Sequence, residues 1–355
     1  MITVRSLSLR ISFLTLDSPK HFALKLPLHP KHLLATLVLT HLGTNIVHAQ
    51  ADPLISHFHE IIPALNPAAS GLTDVANLIA LHRTQWAGLA GHPATQVLAG
   101  DMPLYVAGSG MGLSLINDKA GAQRVTDVKL AYSYQRKLKQ GILAGGLSVG
   151  VIQHTLDGTI LRAPEGEYPE NSINHNDRRI PSTKVSSVVP DFGLGIYLAF
   201  PKWWSGVSVN HLLEPESVLD VATADNTTIT FSRQLRLNAG TSLQVAPEVV
   251  LSPSLLVRSD LVIHQMELQA SFTYRNNIGA GVALRGYNKA SMDAIIGMVS
   301  MQFTPKLRAG YSYDVNISAL SRVNSGSHEL FLNYRIPMLP PSKGKIINNP
   351  RFISF

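Results

Sequence analysis

The chain contains no cysteine among its 355 residues. That absence excludes a disulfide framework, a cysteine-based metal or redox centre and a lipidated N-terminal cysteine. Long apolar runs are missing too. No stretch of the expected mature chain reaches the roughly 20 residues that a membrane helix needs. Charge is sparse, with 15% charged residues against 45% hydrophobic. The formal net charge of +7 does not mark a basic surface: of 30 Lys and Arg and 23 Asp and Glu, five basic and one acidic precede Gln50 and three basic follow Ile336, leaving 22 of each between. A phosphate-neutralising stripe, and with it nucleic-acid binding, is therefore not expected.

What is present is alternation. Val128, Leu130, Tyr132 and Tyr134 fall on one side of an extended chain and Lys129, Ala131 and Ser133 on the other. The same period of two returns at Phe192, Leu194, Ile196 and Leu198, at Met266 to Tyr274, and at Leu330, Leu332 and Tyr334 against Glu329, Asn333 and Arg335. Period two marks strands with one apolar face. It does not say whether that face meets a dry core or lipid. The N-terminus, the strand count and the loops decide. Lys31 and His32 precede the apolar run Leu33 to Thr40, and V-H-A at Val47 to Ala49 offers a cleavage site. Residues 1–49 thus read as an export signal with a long n-region, and the mature chain is expected to begin near Gln50.

Fourteen strands are predicted: Thr73 to Arg83, Ala94 to Met102, Ala107 to Asn117, Val125 to Leu138, Ile142 to Leu156, Val188 to Phe200, Ser205 to Leu213, Thr228 to Val245, Val249 to Arg258, Val262 to Tyr274, Ile278 to Tyr287, Met292 to Phe303, Leu307 to Val315 and Ser327 to Ile336. Even-numbered connections are tight turns, whereas the long ones, Asp157 to Ser187, Glu214 to Thr227 and Asn316 to Gly326, are all odd-numbered. That parity suits an antiparallel up-and-down transmembrane β-barrel in the outer membrane, with long loops outside and lipid against its apolar face. The expected organisation is a pre-barrel segment at 50–72, a barrel at 73–336 and a basic periplasmic tail at 337–355. An even count returns the C-terminus to the side of the N-terminus. Pro247 and Pro253 make the register of the ninth and tenth strands the least certain part of the pattern.

Q-A-D-P at Gln50 to Pro53, N-P-A-A-S-G at Asn66 to Gly71, H-R-T-Q-W-A-G at His82 to Gly88 and G-M-G-L-S-L-I-N-D-K-A-G at Gly110 to Gly121 occur in an order and spacing that resembles the PorP/SprF family of the type IX secretion system. So do Y-S-Y-D at Tyr311 to Asp314, N-S-G-S-H-E-L at Asn324 to Leu330 and N-P-R-F at Asn349 to Phe352. The resemblance implies a non-enzymatic outer-membrane barrel without cofactors. Its implied partners are other type IX secretion components and a secreted, adhesin-like protein with a type IX C-terminal signal, in bacteria that often glide.

Other motifs invite sharper chemistry. G-L-S-V-G at Gly146 to Gly150 matches a nucleophile elbow but lies within a strand, where Gly146, Ser148 and Gly150 form a small-residue face. Alternating Gly108, Gly110 and Gly112 make room in the lumen for a plug or a bulky neighbour. H-F-H-E at His57 to Glu60 offers a partial metal-ligand set, and its plainer reading is a segment packed inside or beneath the barrel. Candidate partner-binding loops are Arg83 and Trp86 with Asn117, Asp118 and Lys119, and the long loop bearing Glu165, Glu167, Arg178 and Arg179, which could instead fold back on itself. Trp203 and Trp204 are expected at the lipid interface. Competing functions are an open pore or transporter for small hydrophobic solutes, wide enough at fourteen strands, and a hydrolase, for which Ser148 lacks an evident base.

Overall fold

The computed structural model describes residues 52–105, 108–170, 172–219, 227–287 and 291–338. The export signal and the tail beyond Met338 lie outside the described residues. The strands are β1 (Val75–Thr84), β2 (Ala94–Leu104), β3 (Ser109–Ala120), β4 (Gln123–Lys137), β5 (Ile142–Asp157), β6 (Lys184–Ala199), β7 (Trp203–Asn210), β8 (Glu216–Leu219), β9 (Thr227–Thr230), β10 (Gln234–Thr241), β11 (Leu243–Ala246), β12 (Val249–Ser259), β13 (His264–Tyr274), β14 (Ile278–Arg285), β15 (Ala294–Gln302), β16 (Leu307–Asn316) and β17 (Ser327–Pro337).

Neighbouring wall strands pair antiparallel, and β1 pairs with β17 to close the cylinder. β8 and β9 pair only with each other, in the long connection after β7. β10 and β11 both pair with β12 and are two halves of one stave. The wall is therefore a closed barrel of 14 staves. The interruption falls beside Pro253 in β12, which has no N–H to offer across the ladder, while Thr241 Oγ1 and the Ser242 N–H continue the contact with the β7 side at the Lys202 carbonyl, at 2.7 and 2.8 Å. The register nevertheless continues through β12 to β13, with Pro253 opposite Ala270.

Exposure alternates as the sequence pattern predicts, and its sense identifies the solvent. Leu143, Leu147, Val149 and Val151 of β5 and Leu330, Leu332 and Tyr334 of β17 are exposed, while Arg83, Arg285, Asp314 and Glu329 are buried. A water-soluble sandwich would be arranged the other way round; apolar outside and polar inside is the arrangement of a barrel in lipid. Trp203 is exposed and stacks on Phe200 at 4.4 Å. Trp204, one residue on, turns inward and stacks over Tyr197 at 6.1 Å, so it lines the lumen instead of the lipid interface. β5 and β6 have 16 residues each. At about 3.3 Å per residue they outreach a lipid-facing band of about 25 Å, and they carry the longest loop clear of it.

The lumen is filled by the chain itself. Residues 52–72 run through it as short turns, Phe58–Glu60, Ile62–Leu65 and Pro67–Ala69. Pro63 and Pro67 favour helix starts and stop any helix from continuing. Small wall residues make the space: a Cβ on Gly110 would strike the Ser70 carbonyl, one on Gly146 the Ala68 nitrogen, and one on Gly195 the Asn66 side chain. The plug begins with Asp52 against Arg236 and Arg258 toward the long-loop end and descends to Val75 at the short-turn end. The even count does bring β17 back beside the start of β1, where the Met338 N–H donates to the Asp74 carbonyl at 3.0 Å. Asp52 itself lies toward the opposite end, which the strand count alone could not reveal.

Leu332, 47% exposed on the outer face of β17, tests the orientation of the wall. Leu332→Lys is expected to cost about 2–4 kcal/mol near the bilayer midplane, and Leu332→Met close to nothing, in urea titrations of folding into vesicles.

Candidate functional site

Two arginines fix the plug to the wall. Arg83 of β1 donates from Nη2 to Asp314 Oδ2 at 2.6 Å and from Nη1 to Glu329 Oε2 at 3.2 Å and Ser56 Oγ at 3.0 Å. Arg285 of β14 donates to Asp314 Oδ2 at 2.7 Å, Glu267 Oε2 at 2.8 Å and Ser56 Oγ at 2.9 Å. Glu329 in turn accepts the Ser56 and His57 backbone N–H groups at 2.8 and 2.7 Å and faces His57 Nδ1 at 2.8 Å. All of these side chains are buried. A buried charge left unpaired is expensive, so wall and plug hold each other in one arrangement. Phe58 packs just below, in an apolar cluster with Ile61, Leu81 and Phe331.

A second latch lies at the top of the plug. Asp52 pairs with Arg236 through Oδ2, and His211 lies 3.0 Å from Asp52 Oδ1 and 3.0 Å from Asp191. His211 follows directly on β7. Burial alone would push its imidazole down, but the Asp52 and Asp191 carboxylates on either side push it up to about 9. Burial likewise opposes the charge on Asp52, and His211 and Arg236 outweigh it, holding that carboxyl well below the usual range. Toward the other end, Glu60 forms an ion pair with Arg308 at 2.8 Å and accepts a hydrogen bond from Asn333 Nδ2 at 3.0 Å. H-F-H-E does not converge on one point: His57 serves Glu329, whereas His59 faces Glu60 at 3.4 Å. Ser148 is buried beside Gly193, and among the described residues its hydroxyl has no hydrogen-bond partner.

The structure redistributes the candidate residues. Arg83, expected in an outer loop, lies in β1 with its side chain 1% exposed, because period two points it into the lumen. Asn117, Asp118 and Lys119 are also strand residues, since only Gly121 and Ala122 separate β3 from β4. Asn117 bonds Gln96, and Asp118 accepts from Thr95 Oγ1 at 2.6 Å, while Lys119 is exposed. Trp86 does lie in a loop, in a left-handed conformation at φ 54°, and its N–H donates to Ser327 Oγ at 3.1 Å. Trp86 and Asp118 line the same outer mouth, an open space of about 730 Å³.

Glu165, Glu167, Arg178 and Arg179 are brought together on the long loop. That loop folds back on itself: Glu167 and Asn174 exchange backbone hydrogen bonds at 2.7 and 3.0 Å, and Asn176 Nδ2 donates to the Glu165 carbonyl at 2.6 Å. Its four charged candidates remain exposed, and among the described residues none forms an ion pair. Sequence reasoning missed Asp52, Glu267, Arg285, Asp314 and Glu329 as a set. For Glu267, Arg285, Asp314 and Glu329 the signal was available, as charges standing in phase with the small, lumen-facing side of the strands; Asp52, in the plug, carried none.

A family model described as type IX secretion system membrane protein PorP/SprF matches residues 47–334. The chain belongs to the PorP/SprF family. Its barrel is accordingly an outer-membrane barrel with its long loops outside, and the secretion system supplies its partners. No curated protein matches the chain. Among solved structures, the CymD monoaromatic hydrocarbon channel is 14% identical over 78% of this chain and 92% of its own, with a TM-score of 0.45. The Ralstonia pickettii toluene transporter TbuX is 11% identical over 77% and 92%, also at 0.45, and a Pseudomonas aeruginosa FadL homologue 10% identical over 77% and 93%, at 0.43. Likenesses at this level carry no argument about what this PorP/SprF protein does.

Arg83→Met should lower stability by about 3–5 kcal/mol, since it leaves Asp314 and Glu329 short of a cation in a buried site; equilibrium unfolding in detergent measures it. The upper latch gives a pH dependence. A histidine raised from an ordinary 6.5 to about 9 contributes fully below pH 6.5 and loses that contribution as pH rises through 9. Protease protection of the plug should therefore fall between pH 6.5 and 9 by roughly 3 kcal/mol, and His211→Gln should flatten that slope.

Proposed function

We propose that this PorP/SprF protein is a non-enzymatic surface scaffold that helps a cognate adhesin-like substrate of the type IX pathway to reach or remain on the cell exterior, including in gliding cells. The observation that carries this reading is the filled lumen. A segment of the same chain occupies it, held by hydrogen bonds from Ser56 and His57 to a buried charge cluster of the wall and by the ion pairs Asp52–Arg236 and Glu60–Arg308, which suits a fixed support better than an open passage for solutes. The partner is met at the outer end, where β5 and β6 raise the loop of residues 158–183 beyond the lipid. Binding residues concentrate on loops whose ends a rigid frame fixes. That loop folds on itself yet leaves Glu165, Glu167, Arg178 and Arg179 exposed without ion pairs, so their charges are available to a complementary surface.

Deleting Glu165 to Asn176 should leave a heat-resistant barrel in the outer membrane and reduce surface display of the one cognate substrate several-fold. Normal display with normal barrel levels would move the contact to the lumen or the periplasmic face. Single-channel recording separates the pore reading, since a scaffold with a latched plug should conduct little in planar bilayers.

A further inference from the structure

Below the outer mouth, between plug and wall, lies a second cavity of about 170 Å³. A water needs roughly 10–15 Å³ by the same measure, so this space takes a side chain or a small organic molecule. It shares Asp52, Pro53, Asp118, Ala120 and Gln234 with the mouth and is therefore reached from the cell exterior. Its deeper wall is apolar, built by Ile55, Leu65, Ile116, Val125, Ile152 and Phe231. Its polar rim is unbalanced. Three cations line it, and each is already committed to carboxylates: Lys129 to Asp127 at 2.6 Å and Asp191 at 2.9 Å, His211 to Asp52 and Asp191, and Arg236 to Asp52.

Those cations face four carboxylates, Asp52, Asp127 and Asp118 on the rim and Asp191 behind it. The excess falls on Asp118, which has Thr95 as its hydrogen-bond partner and, among the described residues, no cation. Two further acceptors on the rim lack a partner among the described residues, Asp127 Oδ1 and the hydroxyl of Ser232, a residue only 4% exposed. An apolar wall beneath a carboxylate without a counter-ion, with unsatisfied acceptors beside it, matches a cationic head on an aliphatic stem.

We infer that this cavity is a binding site for an aliphatic guanidinium or ammonium group, its stem on the Ile116 and Phe231 side and its head between Asp118, Asp127 and Ser232. The group comes either from an Arg or Lys side chain of a surface partner or from a free alkyl cation. The first source would make the cavity the socket for the partner proposed above; the second stands without that proposal, and binding in vitro does not depend on secretion.

The test uses the purified full-length barrel in detergent and isothermal titration with three probes: n-butylguanidinium, N-acetyl-arginine N-methylamide and its neutral isostere N-acetyl-citrulline N-methylamide. Both cations should bind and citrulline should not. Asp118→Asn should weaken cation binding by roughly tenfold, the worth of one charge-assisted contact, and Ser232→Ala by less. Heat-modifiability on gels and protease protection of the plug confirm that each variant is folded. Tighter binding of the arginine amide than of butylguanidinium assigns the site to a protein side chain, and equal binding assigns it to a free cation. Equal binding of citrulline, or cation binding that survives unchanged in folded Asp118→Asn, overturns the inference.

Discussion

The structure depends on the requirement that charges brought into a lumen without bulk water be matched there. Arg83 on β1 and Arg285 on β14 converge on one point of the lumen, and Asp314 and Glu329 answer them from β16 and β17, staves that lie between the two. The match is incomplete until the plug supplies Ser56 and His57. Such a cluster adds little net stability compared with an apolar filling of the same shape. What it provides is register, because a plug shifted by one residue would present the wrong groups to every member. The glycines at Gly110, Gly146 and Gly195 contribute the complementary steric condition, that the plug backbone can approach the wall only where no side chain stands.

The wall was legible in the sequence because its rule is local. Two residues define a face, so Leu330, Leu332 and Tyr334 announced their side of β17 without knowledge of any other strand. The staves predicted around Pro253 were found in place, and the interruption lay one strand away, at Ser242 between β10 and β11. The filling was not legible. Ser56 and Glu329 are 273 residues apart, and nothing in the H-F-H-E segment marks which distant carboxylate it meets. Arg83 and Asp118 were read as loop residues for the same reason: a charge near a strand end looks alike whether it faces water or lumen, and only the phase of its neighbours distinguishes them.

The motifs that carry the resemblance to the PorP/SprF family, spread from Gln50 to Phe352, agree with this division. Several of those motifs prove to be contact points between plug and wall. N-P-A-A-S-G carries Asn66, Ala68 and Ser70 against the glycine-lined strands, and Y-S-Y-D and S-H-E-L carry Asp314 and Glu329, two of the three carboxylates of the lower latch. Their ordered spacing therefore reflects an internal fit more than an exposed recognition surface.

The plug and the closing seam involve the same strands. Arg83 stands on β1 and Glu329 on β17, the first and last staves, which meet only when the cylinder shuts. The groups that hold Ser56 and His57 come together only when these staves meet, so closure of the cylinder also completes the lower seat of the plug. Arrival of the final strand thus completes two structures at once, and a long-range closure of this kind is entropically the most demanding step of assembly. The seam of the wall is thereby also part of the seat of its filling.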